Sequence, residues 1–423
     1  MPGVRLSPSD RAMLDGGRGE AARLAMRIVT AMASATAAEH LIDVASAHVD
    51  GCLYHGQASL DFAERLVAGG ARVAIPTTLN VGSVDLLHPD LYRGDRQSAA
   101  NGRRLMELYA SMGCRPTWTC APYQLPERPS LGQHVAWAES NAVVFANSVL
   151  GARTDRYGDF IDICAAITGR APAAGFHLDR NRAGQILFRL DGVSKSLLAE
   201  DVLFPVLGHL VGSEAGTLVP VIEGLPGSVT EDQLKALGAA AASSGAVALF
   251  HAVGVTPEAR SLEAAFGGVE PRRVVEVTPS RLAEARDSLS TVAGDRIDAV
   301  SVGTPHFSVA EFARLTPLLE RTAIASGVDF FVSTSRQVLA EVESRGWLRV
   351  YQRAGVKLVV DTCTYVTSIL KPSHRVVMTN SAKWAYYAPA NVGVEVVFGS
   401  LEECVRSAAE GKVRRDETLW RRG

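Results

Sequence analysis

The chain has 423 residues, 47% of them hydrophobic and 21% charged, and its 43 basic and 45 acidic residues leave a net charge of −2. That is enough apolar sequence for two or three packed domains, and the near-neutral balance excludes a broad electrostatic surface for nucleic acid or anionic lipid. The chain has no apolar run long enough to span a bilayer and no basic segment followed by an apolar core and a cleavage site, a pattern that predicts a cytoplasmic protein.

In chain order, Ser7, Pro8 and Asp10 introduce an amphipathic helix over Met13–Met32. A strand is predicted at Leu41–Ala45, a helix at Leu60–Val67, a short buried strand at Arg72–Ile75 and a helix at Arg103–Met112. The strand at Arg72–Ile75 delivers Pro76-Thr77-Thr78-Leu79-Asn80 at its end. From Glu139 to Thr168 small, polar and apolar residues mix, as in a loop and helix start that line a cleft.

From Leu218 onward the texture alternates. Apolar runs at Leu218–Ile222, Ala246–His251, Arg273–Val277, Ala299–Gly303, Phe330–Ser333, Lys357–Val360, Val376–Met378 and Val394–Phe398 are separated in several places by helical patterns. The helical patterns are Glu231–Ala242, Ser280–Ser288, Val309–Ala323, Arg336–Arg345 and Leu401–Ala409. Such alternation predicts an α/β fold of mostly parallel sheets with right-handed crossovers. Soft boundaries divide it into residues 1–215, 216–290 and 291–423. The Arg-rich end from Val413 to Gly423 reads as a solvated tail.

In parallel sheets the chemistry sits beyond the carboxyl ends of the strands. Four successive ends here carry polar groups: Thr304-Pro305-His306-Phe307-Ser308, Thr334-Ser335-Arg336, Asp361-Thr362-Cys363-Thr364 and Thr379-Asn380-Ser381-Ala382-Lys383. Ser, Thr, Asp and Asn also cap helices, but Cys363 and His306 have no capping role. The six cysteines are scattered and form no CxxC pair, so a metal site must be assembled from distant loops. Cys164 and Cys404 lie in helical apolar patterns and read as core. Cys114 is ambiguous, while Cys52, Cys120 and Cys363 sit at turns.

Pro76-Thr77-Thr78-Leu79-Asn80, Thr119-Cys120-Ala121-Pro122-Tyr123, Glu139-Ser140-Asn141-Ala142, Ala146-Asn147-Ser148 and Gly151-Ala152-Arg153-Thr154 resemble motifs of the aconitase X family. So do Gly303-Thr304-Pro305-His306, Asp361-Thr362-Cys363 and Asn380-Ser381-Ala382-Lys383, and the resemblance extends to about residue 410. It implies three α/β domains around an iron–sulfur cluster, and a fourth, swivelling domain that belongs to a separate small subunit, giving a heterodimer. It also implies a hydro-lyase acting on a small hydroxy acid. Phosphomevalonate-type members carry Cys where this chain has Thr304, and Thr304 resembles the hydroxyproline type. The expected reaction is therefore dehydration of cis-3-hydroxy-L-proline to Δ1-pyrroline-2-carboxylate, with dehydration of mevalonate 5-phosphate as the alternative. Two distant alternatives are a non-enzymatic iron-sensing or RNA-binding protein and a mononuclear zinc or iron hydrolase using His55, Cys120 and Cys363.

The expected cluster ligands are Cys52, Cys120 and Cys363. The expected substrate donors are Thr77, Thr78, Asn80, Ser140, Asn141, Asn147, Ser148 and Arg153, the last able to grip a carboxylate with two parallel hydrogen bonds. His306 is the expected acid for the leaving hydroxyl, with Lys383 as a second catalytic group. The resemblance further implies that the proton-abstracting base is a serine on the swivelling domain.

Overall fold

The computed structural model describes residues 4–421. It forms two compact units, Met1–Val84 with Gly94–Ala183, and Asp85–Arg93 with Gly184–Gly423.

The first unit opens with helices Pro8–Leu14 and Glu20–Ala35. They are separate because Gly16 and Gly19 turn the chain at φ +86° and +91°, where other residues are strained. The helix expected over Met13–Met32 is thus interrupted at its start. Ser7 and Asp10 form a capping box at the first helix. The strands are β1 (Leu41–Asp43), β2 (Ala47–Val49), β3 (Thr77–Leu79), β4 (Ala136–Trp137) and β5 (Arg170–Pro172). β1 and β5 pair antiparallel, and β3-β2-β4 form a parallel sheet. Arg72–Ile75 is not a strand. Val73 N–H donates to the Met112 carbonyl (3.0 Å) and Ala74 N–H to the Ala166 carbonyl (2.8 Å), so helix ends take the bonds that a sheet would need. The Pro76–Asn80 motif itself supplies β3.

The second unit holds two parallel sheets. In the first, β6 (Ile186–Arg189), β7 (Pro220–Glu223), β8 (His251–Ala252) and β9 (Arg273–Glu276) take the order β8-β7-β6-β9. In the other, β10 (Ala299–Phe307), β11 (Asp329–Thr334), β12 (Val356–Val359), β13 (Val376–Thr379) and β14 (Glu395–Phe398) take the order β12-β11-β10-β13-β14. The first unit ends well before the boundary read at residue 215. β6 hydrogen-bonds to both β7 and β9, which ties Ile186–Arg189 to the second unit. The run Ala246–His251 contributes only its end to β8. Strands β10 to β12 are buried on both faces by helices, with Phe312, Phe330, Val332 and Tyr351 at the centre of one face.

The C-terminal segment packs down rather than trailing in solvent: Trp420 is buried and the Arg286 guanidinium lies 5.3 Å over its ring. Arg422 and Gly423 lie outside the described residues. No helix among the described residues is long and apolar enough to cross a membrane.

Candidate functional site

In the first unit the carboxyl ends of β2, β3 and β4 converge. Their register pairs Val49 with Leu79 and His48 with Trp137, so Asp50, Asn80 and Glu139 emerge side by side just beyond the sheet. The Asn80 amide donates to Asp50 Oδ1. Asp162, fully buried, accepts the N–H groups of Asp50 (2.7 Å) and Gly51 (3.2 Å), fixing the turn. Burial pushes the Asp50 carboxyl up to about 7, assisted by the charges of Glu139 and Asp159. Burial pushes buried His48 down to about 4, against the opposing charge of Glu139. His48 Nδ1 lies 2.8 Å from Thr78 Oγ1. Neither His48 nor Asp50 was singled out from the sequence; two- and three-residue strands give no periodicity that would mark them.

Cys52 is wholly buried, and its thiol points at the carbonyl oxygens of Asn80 (3.4 Å), Val49 (3.6 Å) and Val81 (3.7 Å). Burial also pushes this thiol well above its ordinary pKa. Cys120 follows Thr119 in a buried loop, and its carbonyl accepts from Asn141 Nδ2 at 2.8 Å. Asn141 Oδ1 in turn accepts from the Tyr123 hydroxyl at 2.5 Å. Glu139 caps helix Ser140–Ser148 by accepting from Ala142 N–H at 2.7 Å, and Ser140 Oγ donates to the same carboxylate at 3.3 Å.

The other expected donors serve this frame. Asn147 grips Thr154 twice, accepting its N–H at 3.0 Å and donating to its carbonyl at 2.9 Å. Ser148 is buried at the end of the same helix. Thr77 Oγ1 donates to the Ile75 carbonyl at 2.9 Å. Arg153 donates to the His177 carbonyl at 3.1 Å and pairs with Asp179. The guanidinium expected to grip a carboxylate thus already holds one from the chain itself.

In the second unit the carboxyl ends of β10, β12 and β13 carry the polar groups. Gly303 has φ +90°, and a Cβ there would lie 2.2 Å from the Ser333 carbonyl oxygen, so only glycine lets β10 pass β11. His306 is fully buried, and its Nε2 lies 3.2 Å from the Thr362 carbonyl. A carbonyl only accepts, so Nε2 carries a hydrogen. Ligand atoms of His306 and Cys363 lie within 4.8 Å of each other.

The Cys363 turn is held rigidly. Asp361, at φ +63°, receives both Nε and Nη2 of Arg336 at 2.6 Å and Leu86 N–H at 3.1 Å. Asp85 accepts the N–H of Val360 at 2.9 Å and of His88 at 2.7 Å. On the other side of His306, buried Lys235 lies 3.4 Å from its carbonyl oxygen and pairs with Asp232 (2.9 Å) and Glu311. Burial opposes the Lys235 charge, but the two carboxylates outweigh it and hold the ammonium above its ordinary pKa.

Lys383 is buried in the first turn of helix Ala382–Val392. It borders a small cleft of about 40 Å³ whose wall includes Lys235, Gly303, Thr304 and Asn380. Thr304 Oγ1 is buried without a hydrogen-bond partner among the described residues. His306 and Cys363 are both buried, and a thiol beside an imidazole is a donor pair that suits iron.

Residues 3–180, 184–287 and 297–410 match the family descriptions Aconitase X first domain, second domain and third domain. Cis-3-hydroxy-L-proline dehydratase of Pseudomonas aeruginosa is 46% identical, covering 99% of this chain and 72% of its own length. Phosphomevalonate dehydratase large subunit of Methanothermobacter thermautotrophicus is 37% identical over 95% of this chain and 98% of its own. The crystal structure of holo-form Thermococcus kodakaraensis aconitase X, 33% identical, matches 96% of this chain and 100% of its own with a TM-score of 0.85. With its three domain matches running along almost the whole sequence, the chain belongs to the aconitase X family.

Proposed function

We propose that this chain is the large part of a hydro-lyase that dehydrates cis-3-hydroxy-L-proline to Δ1-pyrroline-2-carboxylate. The observation that carries the substrate choice is the 46% identity to a cis-3-hydroxy-L-proline dehydratase, against 37% to a phosphomevalonate dehydratase large subunit. Thr304 supports the same choice.

An iron–sulfur cluster in such a site supplies a Lewis acid for the substrate's carboxylate and departing hydroxyl. Cys120 and Cys363 are its proposed thiolate donors. In place of Cys52, whose thiol faces carbonyl oxygens, His306 is the proposed third donor, through Nδ1. That assignment moves the proton for the leaving hydroxyl to Lys383, fixed at a helix start. Asn141 and Asn147 set the loops of Cys120 and Thr154, so they are positioning residues rather than substrate contacts. The base that removes the C2 proton belongs, on this reading, to a small swivelling subunit that completes a heterodimer in the cytoplasm. Near-neutral charge disfavours an RNA-binding role.

The test is to prepare the chain anaerobically with its small subunit and to assay both substrates. Formation of Δ1-pyrroline-2-carboxylate from cis-3-hydroxy-L-proline, abolished by iron chelation, is the expected result. Turnover of mevalonate 5-phosphate alone overturns the substrate choice. Absence of iron and acid-labile sulfide from active enzyme overturns the cluster.

A further inference from the structure

At the amino end of β4 in the first unit, three side chains form a hydrogen-bonded chain that leads out of the interior. Tyr157 is 5% exposed, and its hydroxyl lies 2.5 Å from Nε2 of His177, itself 2% exposed. Nδ1 of His177 lies 3.0 Å from Nδ1 of His134, a half-buried residue two positions before β4. Charged groups surround the chain. Arg153 and Arg182 act on both imidazoles, Asp179 on His134 and Asp155 on Tyr157. Burial raises the Tyr157 pKa well above its ordinary value, so the hydroxyl keeps its hydrogen.

Each of these contacts holds one hydrogen, and the direction of each follows from the chemistry. The Asp155 backbone hydrogen-bonds the Tyr157 oxygen in the sense that favours its anion, so that N–H donates. The acceptor left for the tyrosine's own hydrogen is His177 Nε2, and a buried hydroxyl without an acceptor is costly. His177 then carries its hydrogen on Nδ1 and donates to His134 Nδ1, which puts the His134 hydrogen on Nε2. A proton added to His134 must therefore enter at the occupied Nδ1. There it meets the His177 N–H, donor against donor, unless His177 moves its hydrogen to Nε2.

We propose that Tyr157, His177 and His134 form a pH-sensitive relay, in which protonation of His134 reverses the tautomer of His177 and strips the Tyr157 hydroxyl of its acceptor. One proton is taken from water by His134, while His177 and Tyr157 each keep one hydrogen. The relay bears on the loop Gly151–Thr154. Arg153 N–H donates to the Gln133 carbonyl (2.9 Å) and the Arg153 carbonyl accepts from Val135 N–H (2.9 Å), on either side of His134. The guanidinium of the same residue holds the His177 carbonyl at 3.1 Å. Any turn of the two rings is therefore felt at Arg153, one residue from Thr154.

The test measures the pKa of each histidine in the full chain by deuterium exchange at its ring C–H, read by mass spectrometry. Burial and the two arginines lower the His134 pKa whether or not Tyr157 has a hydroxyl, whereas the relay needs that hydroxyl. Wild-type His134 is expected to titrate below its ordinary 6.5. Tyr157→Phe is expected to raise it by about half to one pH unit, the equivalent of one hydrogen bond. His177→Phe, the second variant should Tyr157→Phe fail to fold, is expected to raise it at least as far. His209 of the second unit, whose pKa burial also lowers, is the internal control and is expected not to move. A Tyr157→Phe chain in which His134 titrates as in wild type overturns the proposal, as does a wild-type His134 that titrates at 6.5 or above. A parallel rise at His209 overturns it too, since loosening of the whole chain then accounts for both.

Discussion

The two units place their functional groups by the same rule, at the carboxyl ends of parallel strands, yet with opposite chemistry. The first unit presents acceptors: Asp50, Asn80 Oδ1 and Glu139, with Asp159 and Asp162 behind them. The second presents Thr304, His306, Cys363 and Lys383, a hydroxyl, an imidazole, a thiol and an amine. Two carboxylates beside these groups are paired with cations, Asp361 with Arg336 and Glu311 with Lys235. The difference between the units is thus one of charge: acceptors at the strand ends of the first, paired charges and neutral donors at those of the second.

The largest expected effect separates Cys363 from Cys52. Cys363→Ser is expected to lose cluster iron and to lower kcat by about a thousandfold or more, because a hydroxyl is a poor substitute for thiolate. Cys52→Ser is expected to keep its iron and at least a third of its activity. Iron and acid-labile sulfide analysis beside the rate checks both. A Cys52 variant lacking iron would restore the ligand set expected from the sequence.

That contrast also shows what the sequence could reveal. In the second unit, strands buried on both faces appear as uninterrupted apolar runs, so the ends at His306, Arg336, Cys363 and Lys383 could be located by alternation alone. In the first unit, β2 is only Ala47–Val49 and β4 only Ala136–Trp137. Runs that short carry no period, and His48 and Asp50 pass unnoticed beside the more conspicuous Cys52. Polar density misleads there for another reason. Asn147 and Arg153 look like substrate donors, but their partners are Thr154, His177 and Asp179, and no spacing rule separates an amide that holds a loop from one that holds a ligand. Likewise Ile186–Arg189 is a central strand, yet its apolar run is too brief to stand out from the segments around it.

A smaller effect is expected behind His306. Lys235→Met removes the ammonium 3.4 Å from the His306 carbonyl and leaves Asp232 and Glu311 unpaired. Loss of such a supporting contact behind a metal donor typically costs about 10- to 100-fold. The expected kcat falls within that range with KM little changed, and Lys235→Arg recovers part of it. Thermal melting monitors the fold, and a changed cluster absorption spectrum separates positioning from simple destabilisation.

Arg336→Met acts mainly through stability. It strands the Asp361 carboxylate, which is fully buried, while the arginine itself is 39% exposed. Breaking a buried pair costs about 3–5 kcal/mol, and the exposure of one partner reduces this to about 2–3 kcal/mol. Urea denaturation measures it. A loss below about 1 kcal/mol would mean that the backbone N–H of Leu86 alone suffices to hold Asp361.

The smallest effect is a slope with pH, and it singles out the acceptor-rich unit. Burial raises the Asp162 pKa from 3.8 to about 7, above its value in the unfolded chain. Between those limits the folded chain holds a proton that the unfolded chain has released, so stability falls as pH rises. The contribution of this group is complete below about pH 4 and is lost as pH climbs through 7. Asp50 works in the same direction. Melting temperature is therefore expected to decline by a few degrees from pH 5.5 to 7.5, and Asp162→Asn, which has no proton to release, is expected to flatten about half of that decline. The Asn side chain still offers one oxygen to the N–H groups of Asp50 and Gly51, so the fold should persist. An unchanged slope in Asp162→Asn would show that Asp162 is ionised in the folded chain, and the acceptors around Asp50 would then carry more charge in the absence of substrate than burial alone favours.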